Sequence, residues 1–229
     1  MTTEVHAATH GMESPGEIGR TAEIVTTGSM VEAIAGVGGI VLTCIALAGM
    51  ASTILTAVVA LVIGSAFILQ GWAMGARYTH VIHEAESGTW STAAELGSGV
   101  TATFVAGGAG IVLGLLTLLG VAETVLLPIV AITFGGALIL TCGATSKLNY
   151  LRMTGGETDR SYHLMAREAV AAATSLQVLA GLGAVVLGIL ALLHIQWTML
   201  TVIGLLAVSA TIAFSGAALS SRLWGFWHS

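Results

Sequence analysis

The stretch Ala35-Gly36-Val37-Gly38-Gly39-Ile40-Val41-Leu42 returns as Ala106-Gly107-Gly108-Ala109-Gly110-Ile111-Val112-Leu113. It returns again as Ala180-Gly181-Leu182-Gly183-Ala184-Val185-Val186-Leu187, the copies being displaced by 71 and then 74 residues. The register survives past the following turn, where Thr53, Thr124 and Thr198 coincide, as do Leu55, Leu126 and Leu200. From Met30 to Phe67, seven columns hold one residue type in all three copies without a gap. Chance supplies about half such a column in apolar segments of this kind, so the match marks an internal repeat. A chain of this sort folds as three like units.

Each unit carries two apolar runs. The six lie at about 30–49, 52–74, 99–121, 124–145, 173–193 and 198–220. Every run approaches the ~20 residues that cross a hydrocarbon core at 1.5 Å per residue. Only 8% of the residues are charged and 55% are hydrophobic, with a mean hydropathy of +0.94. A soluble domain carries roughly 25% charged residues, and the runs lack the polar face of a soluble bundle. The expected fold class is an all-α integral membrane protein: six transmembrane helices as three tandem hairpin repeats with pseudo-threefold symmetry. An even number of spans per unit makes the units parallel, related by an axis along the membrane normal.

The expected division is an N-terminal arm over 1–29, hairpins over 30–74, 99–145 and 173–223, cytoplasmic loops over 75–98 and 146–172, and a tail over 224–229. The arm does not have the form of a secretory signal. It lacks a basic n-region, and Glu4, Glu13, Glu17 and Glu23 precede any long apolar stretch. Ser14-Pro15-Gly16-Glu17 has the pattern of a capping box with proline at the first helical position, which predicts a short helix leading into the first span.

Charge placement gives an orientation. The basic residues Arg20, Arg77, Lys147, Arg152, Arg160, Arg167 and Arg222 avoid the tight turns near Met50, Val121 and Gln196. The positive-inside rule then places both termini and both long loops in the cytoplasm. Arg77-Tyr78, Lys147 with Tyr150, and Arg222 with Trp224 put a cation and an aromatic ring at the end of each second helix, as interface anchors.

One polar layer survives the alignment. Glu32 corresponds to Thr103 and Gln177 on the first helices, and Gln70 corresponds to Thr141 and Ser215 on the second. A hairpin returns to the side it left, so these six share one level near the cytoplasmic end. Intramembrane ionisable groups are costly and mark functional sites. The same residue types also serve as hydrogen-bonding glue between helices, and an acidic group near a helix start is favoured by the helix dipole. Both readings stand at this point.

Glycine clusters in each first helix, and Ala60/Gly64 and Ala131/Gly135 in the second helices, have small-xxx-small spacing. Lipid offers no hydrophobic drive for helix association, so such residues predict close backbone packing. The alternative is glycine lining a pathway. Cys44 and Cys142 fall about thirteen residues apart in depth, ~20 Å of helix rise, too far for a disulfide. Both read as small packing residues.

His80 and His83, spaced i, i+3, are a candidate metal pair with His163 from the other loop. As solvated groups they would instead titrate near neutral pH. None of the seven histidines lies within a span in this reading, which disfavours a membrane haem. Lys147 sits at a helix end, not where a Schiff-base lysine would be buried. There is no glycine-rich phosphate loop, Cys-x-x-Cys pair or nucleophile elbow. No catalytic residue, enzymatic activity, cofactor or nucleic-acid partner is expected.

Gly110-Ile111-Val112-Leu113-Gly114-Leu115-Leu116-Thr117-Leu118, a turn, then Gly135-Gly136-Ala137-Leu138-Ile139-Leu140 resembles the short repeat of the HdeD-type acid-resistance membrane proteins. The copy from Leu179 to Leu192 resembles it equally. The resemblance covers Met30 to Leu223 and implies tandem two-helix repeats making six spans in an inner-membrane protein of acid stress, without catalytic residues. The expected role is therefore non-enzymatic: a stress-related protein, or an accessory or scaffolding subunit of a larger membrane assembly. Its partners would be the bilayer and further copies of itself or other subunits. The alternative is a small transporter or channel using the Glu32, Gln70, Thr103, Thr141, Gln177 and Ser215 layer.

Overall fold

Six helices, joined pairwise by turns of a few residues, make up the computed structural model. It describes residues 15–49, 52–84, 90–154 and 160–224, with side chains described over 31–49, 53–72, 75, 98–142 and 175–216. The helices are α1 (Pro15–Leu47), α2 (Ser52–Glu84), α3 (Trp90–Leu118), α4 (Glu123–Thr154), α5 (Arg160–Leu192) and α6 (Trp197–Trp224). Among the described residues there is no strand. Five helices contain segments long and apolar enough to cross a membrane: Thr53–Trp72, Ser98–Leu118, Glu123–Cys142, Ser175–Leu192 and Trp197–Gly216. A shorter apolar segment, Val31–Leu47, occupies α1. The chain is thus consistent with a helical, multi-pass membrane protein.

Proline begins α1, where its missing N–H costs nothing, as the Ser14-Pro15 pattern predicts. The helix does not stop before the first span, however, but runs through it unbroken for 33 residues. The segments 75–98 and 146–172, expected as loops, are also helical over most of their length. From Ala76 to Glu84 there is no glycine or proline to interrupt α2. α2 runs to Glu84 and α4 to Thr154. A 33-residue helix is about 50 Å long and a hydrocarbon core about 30 Å thick. The surplus lies entirely at the end away from the tight turns, because each apolar segment abuts its turn.

The tight turns share one device. Gly49, Gly120 and His194 all have positive φ, at 87°, 79° and 62°, and they fall at one repeat position. After α3 the amide of Val121 donates to Leu116 O at 3.0 Å and that of Gly120 to Thr117 O at 2.9 Å. This is the left-handed helix cap that satisfies the last carbonyls. His194 holds the same conformation without glycine's freedom.

Helix packing closes a ring. Each helix packs against its sequence neighbours, and α1 packs against α6 as extensively as α2 against α3 and α4 against α5. These three seams between hairpins are more extensive than the contacts inside any hairpin. The even helices also touch one another, so they form an inner triangle with the odd helices outside. Half or more of each even span is buried, against 33% for α3 and 22% for α5.

Size, not polarity, separates inside from outside. On α1 the outward residues are Ile34, Val37, Val41 and Ile45, while Gly36, Gly39 and Thr43 face inward. Likewise Leu179, Leu182, Val186 and Ile189 are exposed on α5 and Gly181, Ala184 and Gly188 are buried. Small inward residues let backbones approach where no hydrophobic drive exists.

Glycine is used here for contact. A methyl on Gly107 would stand 2.7 Å from Gly64 O, and one on Gly181 2.8 Å from Gly135 O. At the third seam a methyl on Gly36 would strike the backbone nitrogen of Ala213. By contrast Gly38, Gly108, Gly136 and Gly183 open onto empty space. Most of the close-packing glycines lie at the seams, while Gly110 packs against Phe134 inside the middle hairpin.

Candidate functional site

The polar layer resolves into two hydrogen-bonded pairs. Ser215 on α6 donates to Glu32 Oε1 on α1 at 2.8 Å. Thr103 on α3 and Thr141 on α4 share a hydrogen bond of 2.8 Å in which either hydroxyl can donate. Glu32, Thr103 and Thr141 are all buried, Glu32 to 5% exposure. Gln70 on α2 and Gln177 on α5 are half-buried and belong to neither pair. Both bonds join positions of the repeat that the alignment matches, yet they differ in kind. Thr103–Thr141 lies inside the middle hairpin, whereas Glu32–Ser215 bridges the first helix to the last.

Local sequence explains why Glu32 finds Ser215. Ala33 lies against Gly216, and Gly36 against Ala213, at spacings that leave no room for another methyl. The two helices therefore touch through their backbones within a turn of the pair, and a short serine side chain reaches the carboxylate. Ser215 Oγ also lies 3.0 Å from Ile212 O, as Thr103 Oγ1 lies 2.8 Å from Gly99 O. Each hydroxyl thus has a helix carbonyl as a second partner.

From the polar layer toward the tight turns, the space between the inner helices is apolar. Phe67, Leu138 and Ile212 come first, then Ile63, Phe134 and Val208, each 2% exposed or less. The rings of Phe67 and Phe134 lie 5.1 Å apart, tilted by 38°. Nearer the turns, Thr56, Leu127 and Thr201 are all buried. Sequence reasoning did not single out these hydroxyls, nor Thr43 and Ser209. Their signal was the small-residue spacing, because Thr43 follows Gly36 and Gly39 on one face. Thr43 donates to Gly39 O at 2.7 Å, Ser209 to Leu205 O and Thr201 to Trp197 O. No buried polar side-chain atom among the described residues lacks a partner.

The other candidates sit elsewhere. His80 and His83 are on α2 and His163 is on α5. Their side chains lie outside the described residues, and among those described α2 and α5 do not pack together. The anchor residues Arg77, Tyr78, Lys147, Tyr150, Arg222 and Trp224 all fall on even helices past their apolar segments, with side chains again outside the described set. Cys44 and Cys142 are free; Cys142 is buried, but Cys44 is exposed and so is not a packing residue.

Chemically, the arrangement offers a buried carboxyl group, Glu32, held by the Ser215 hydroxyl beside an apolar core. No protein-family model matches the chain, and no curated protein or solved structure matches it.

Proposed function

We propose that the chain is a non-enzymatic protein of a prokaryotic inner membrane, with both termini cytoplasmic. In this reading it acts in stress resistance of the HdeD type or as an accessory, scaffolding subunit of a larger membrane assembly. The observation that carries it is the core between α2, α4 and α6, where Phe67, Phe134, Leu138 and Ile212 are all buried. A closed core bounded by an apolar exterior is what a packing subunit needs. The wide outward face of α5 is the natural place for a neighbour.

Three tandem hairpins about a pseudo-threefold axis are the architecture proposed with it. Equivalent contacts at all three seams support that reading: Gly107 against Ile68, Gly181 against Ile139 and Gly36 against Ala213 occupy matching positions. So do Gly114 against Ala57 and Gly188 against Pro128.

Native mass spectrometry after gentle extraction from the source membrane tests the role. A stoichiometric partner is the expected outcome for an accessory subunit, and a homo-oligomer for a self-contained stress protein. A bare monomer under every mild condition counts against both. One observation favours a second reading, a small transporter: the buried carboxyl group of Glu32. That reading requires a flux in proteoliposomes that Glu32→Gln abolishes without unfolding the protein.

A further inference from the structure

We propose that Glu32 is a proton-binding site, and that its occupancy redirects the hydrogen bond of Ser215. Ser215 Oγ stands 2.8 Å from Glu32 Oε1 and 3.0 Å from Ile212 O, but its hydroxyl has one proton to give. With Glu32 ionised, Ser215 donates to the carboxylate. When the carboxylate takes a proton from water at that end of the bundle, Glu32 becomes the donor to Ser215 Oγ. Ser215 then donates on to Ile212 O. Both patterns use the same heavy-atom positions, so a proton can be bound and released without moving a helix.

The described spans packed against α1 carry no second titratable group. Two helices pack against α1, namely α2 and α6. Residues 53–72 of α2 and 197–216 of α6 contain no Asp, Glu, His, Lys or Arg. The first charged groups beyond are Arg77 and Arg222, each seven residues past Gln70 and Ser215, about 10 Å of helix rise. On α1 itself Glu23 comes nine residues earlier, about 13 Å away along the axis. The equivalent positions Thr103 and Gln177 cannot titrate, so the site occurs once per chain.

Infrared difference spectra of the full-length protein in lipid nanodiscs, recorded across a pH titration, read the site directly. A protonated-carboxyl stretch is expected that grows on acidification and is missing in Glu32→Gln. In Ser215→Ala the same band is expected to persist but move to higher frequency, because the acid has lost Ser215 Oγ as an acceptor. Should Glu32→Gln fail to fold, Ser215→Ala in the native glutamate background decides. A band that survives Glu32→Gln, or one indifferent to Ser215→Ala, overturns the proposal. So does the absence of any such band wherever the protein stays folded.

Discussion

Gly64 and Gly107 meet backbone to backbone: a methyl on either would stand within 2.8 Å of the other's carbonyl oxygen. The contact joins α2 to α3 across the first seam, and Gly135 with Gly181 repeats it at the second. Carbonyl oxygens cannot yield as the tip of a flexible side chain can. Gly107→Ala or Gly181→Ala should therefore destabilise the bundle by about 1–3 kcal/mol, the usual cost of overpacking. Gly108→Ala, one residue away and facing open space, should be neutral or stabilise by up to about 1 kcal/mol as helix entropy is recovered. Reversible unfolding in mixed micelles distinguishes the two, and equal effects would contradict the seam geometry.

Phe134 fills the middle of the core, with Phe67 at 5.1 Å and Gly110 beneath its ring. Phe134→Ala should cost about 3–5 kcal/mol through lost burial and an unfilled cavity. The same variant probes the plug. If the apolar core is the barrier to ions, proteoliposomes holding Phe134→Ala should leak more than wild type, measured by dye release.

Thr103 and Thr141 offer a clean double-mutant cycle with valine at each position. Thr103 keeps Gly99 O as an acceptor after Thr141→Val, so no buried hydroxyl is stranded. The coupling should be near 0.6 kcal/mol, the mean for hydrogen bonds between membrane helices, and below about 1.7 kcal/mol. A larger value would mean that the pair does more than join α3 to α4.

His194 carries φ of 62° where the other turns carry glycine. A left-handed conformation costs an L-residue about 1–2 kcal/mol, and glycine returns part of that in chain entropy. His194→Gly should therefore stabilise by about 0.5–1 kcal/mol, while Gly120→Ala should destabilise by about 1 kcal/mol. Thermal unfolding of the two single variants checks the opposite signs.

Much of this architecture was legible in the chain. Hydropathy located the apolar segments, since in lipid only a helix satisfies its own backbone. Pro15 marked the start of α1, and glycine spacing foretold backbone contact. Alignment of the copies identified Glu32 with Thr103, but equivalence is not adjacency. It could not show that Glu32 bonds to Ser215 over the α1–α6 seam while Thr103 bonds within its hairpin. Nor did it show the odd helices outside the even ones, because every helix is apolar all round and hydropathy is blind to a boundary drawn by residue size. The helices outran their expected ends for a similar reason. Polar sequence past Trp72 reads as loop by hydropathy, although nothing in it breaks a helix before Glu84.

Ring closure also sets a schedule for synthesis. Glu32 and its hydroxyl partner are separated by 183 residues, so α1 is made early and its seam with α6 is completed late. At ribosomal speeds of about 5–20 residues per second, that interval is roughly 10–40 s. Throughout it the nascent first helix has its hairpin mate but not Ser215, Ala213 or Gly216. The apolar segment of α1, bearing the buried Glu32, must wait half-sheltered for the last helix to arrive. Capture by a quality-control protease, or shelter by an insertion chaperone, would act in that window.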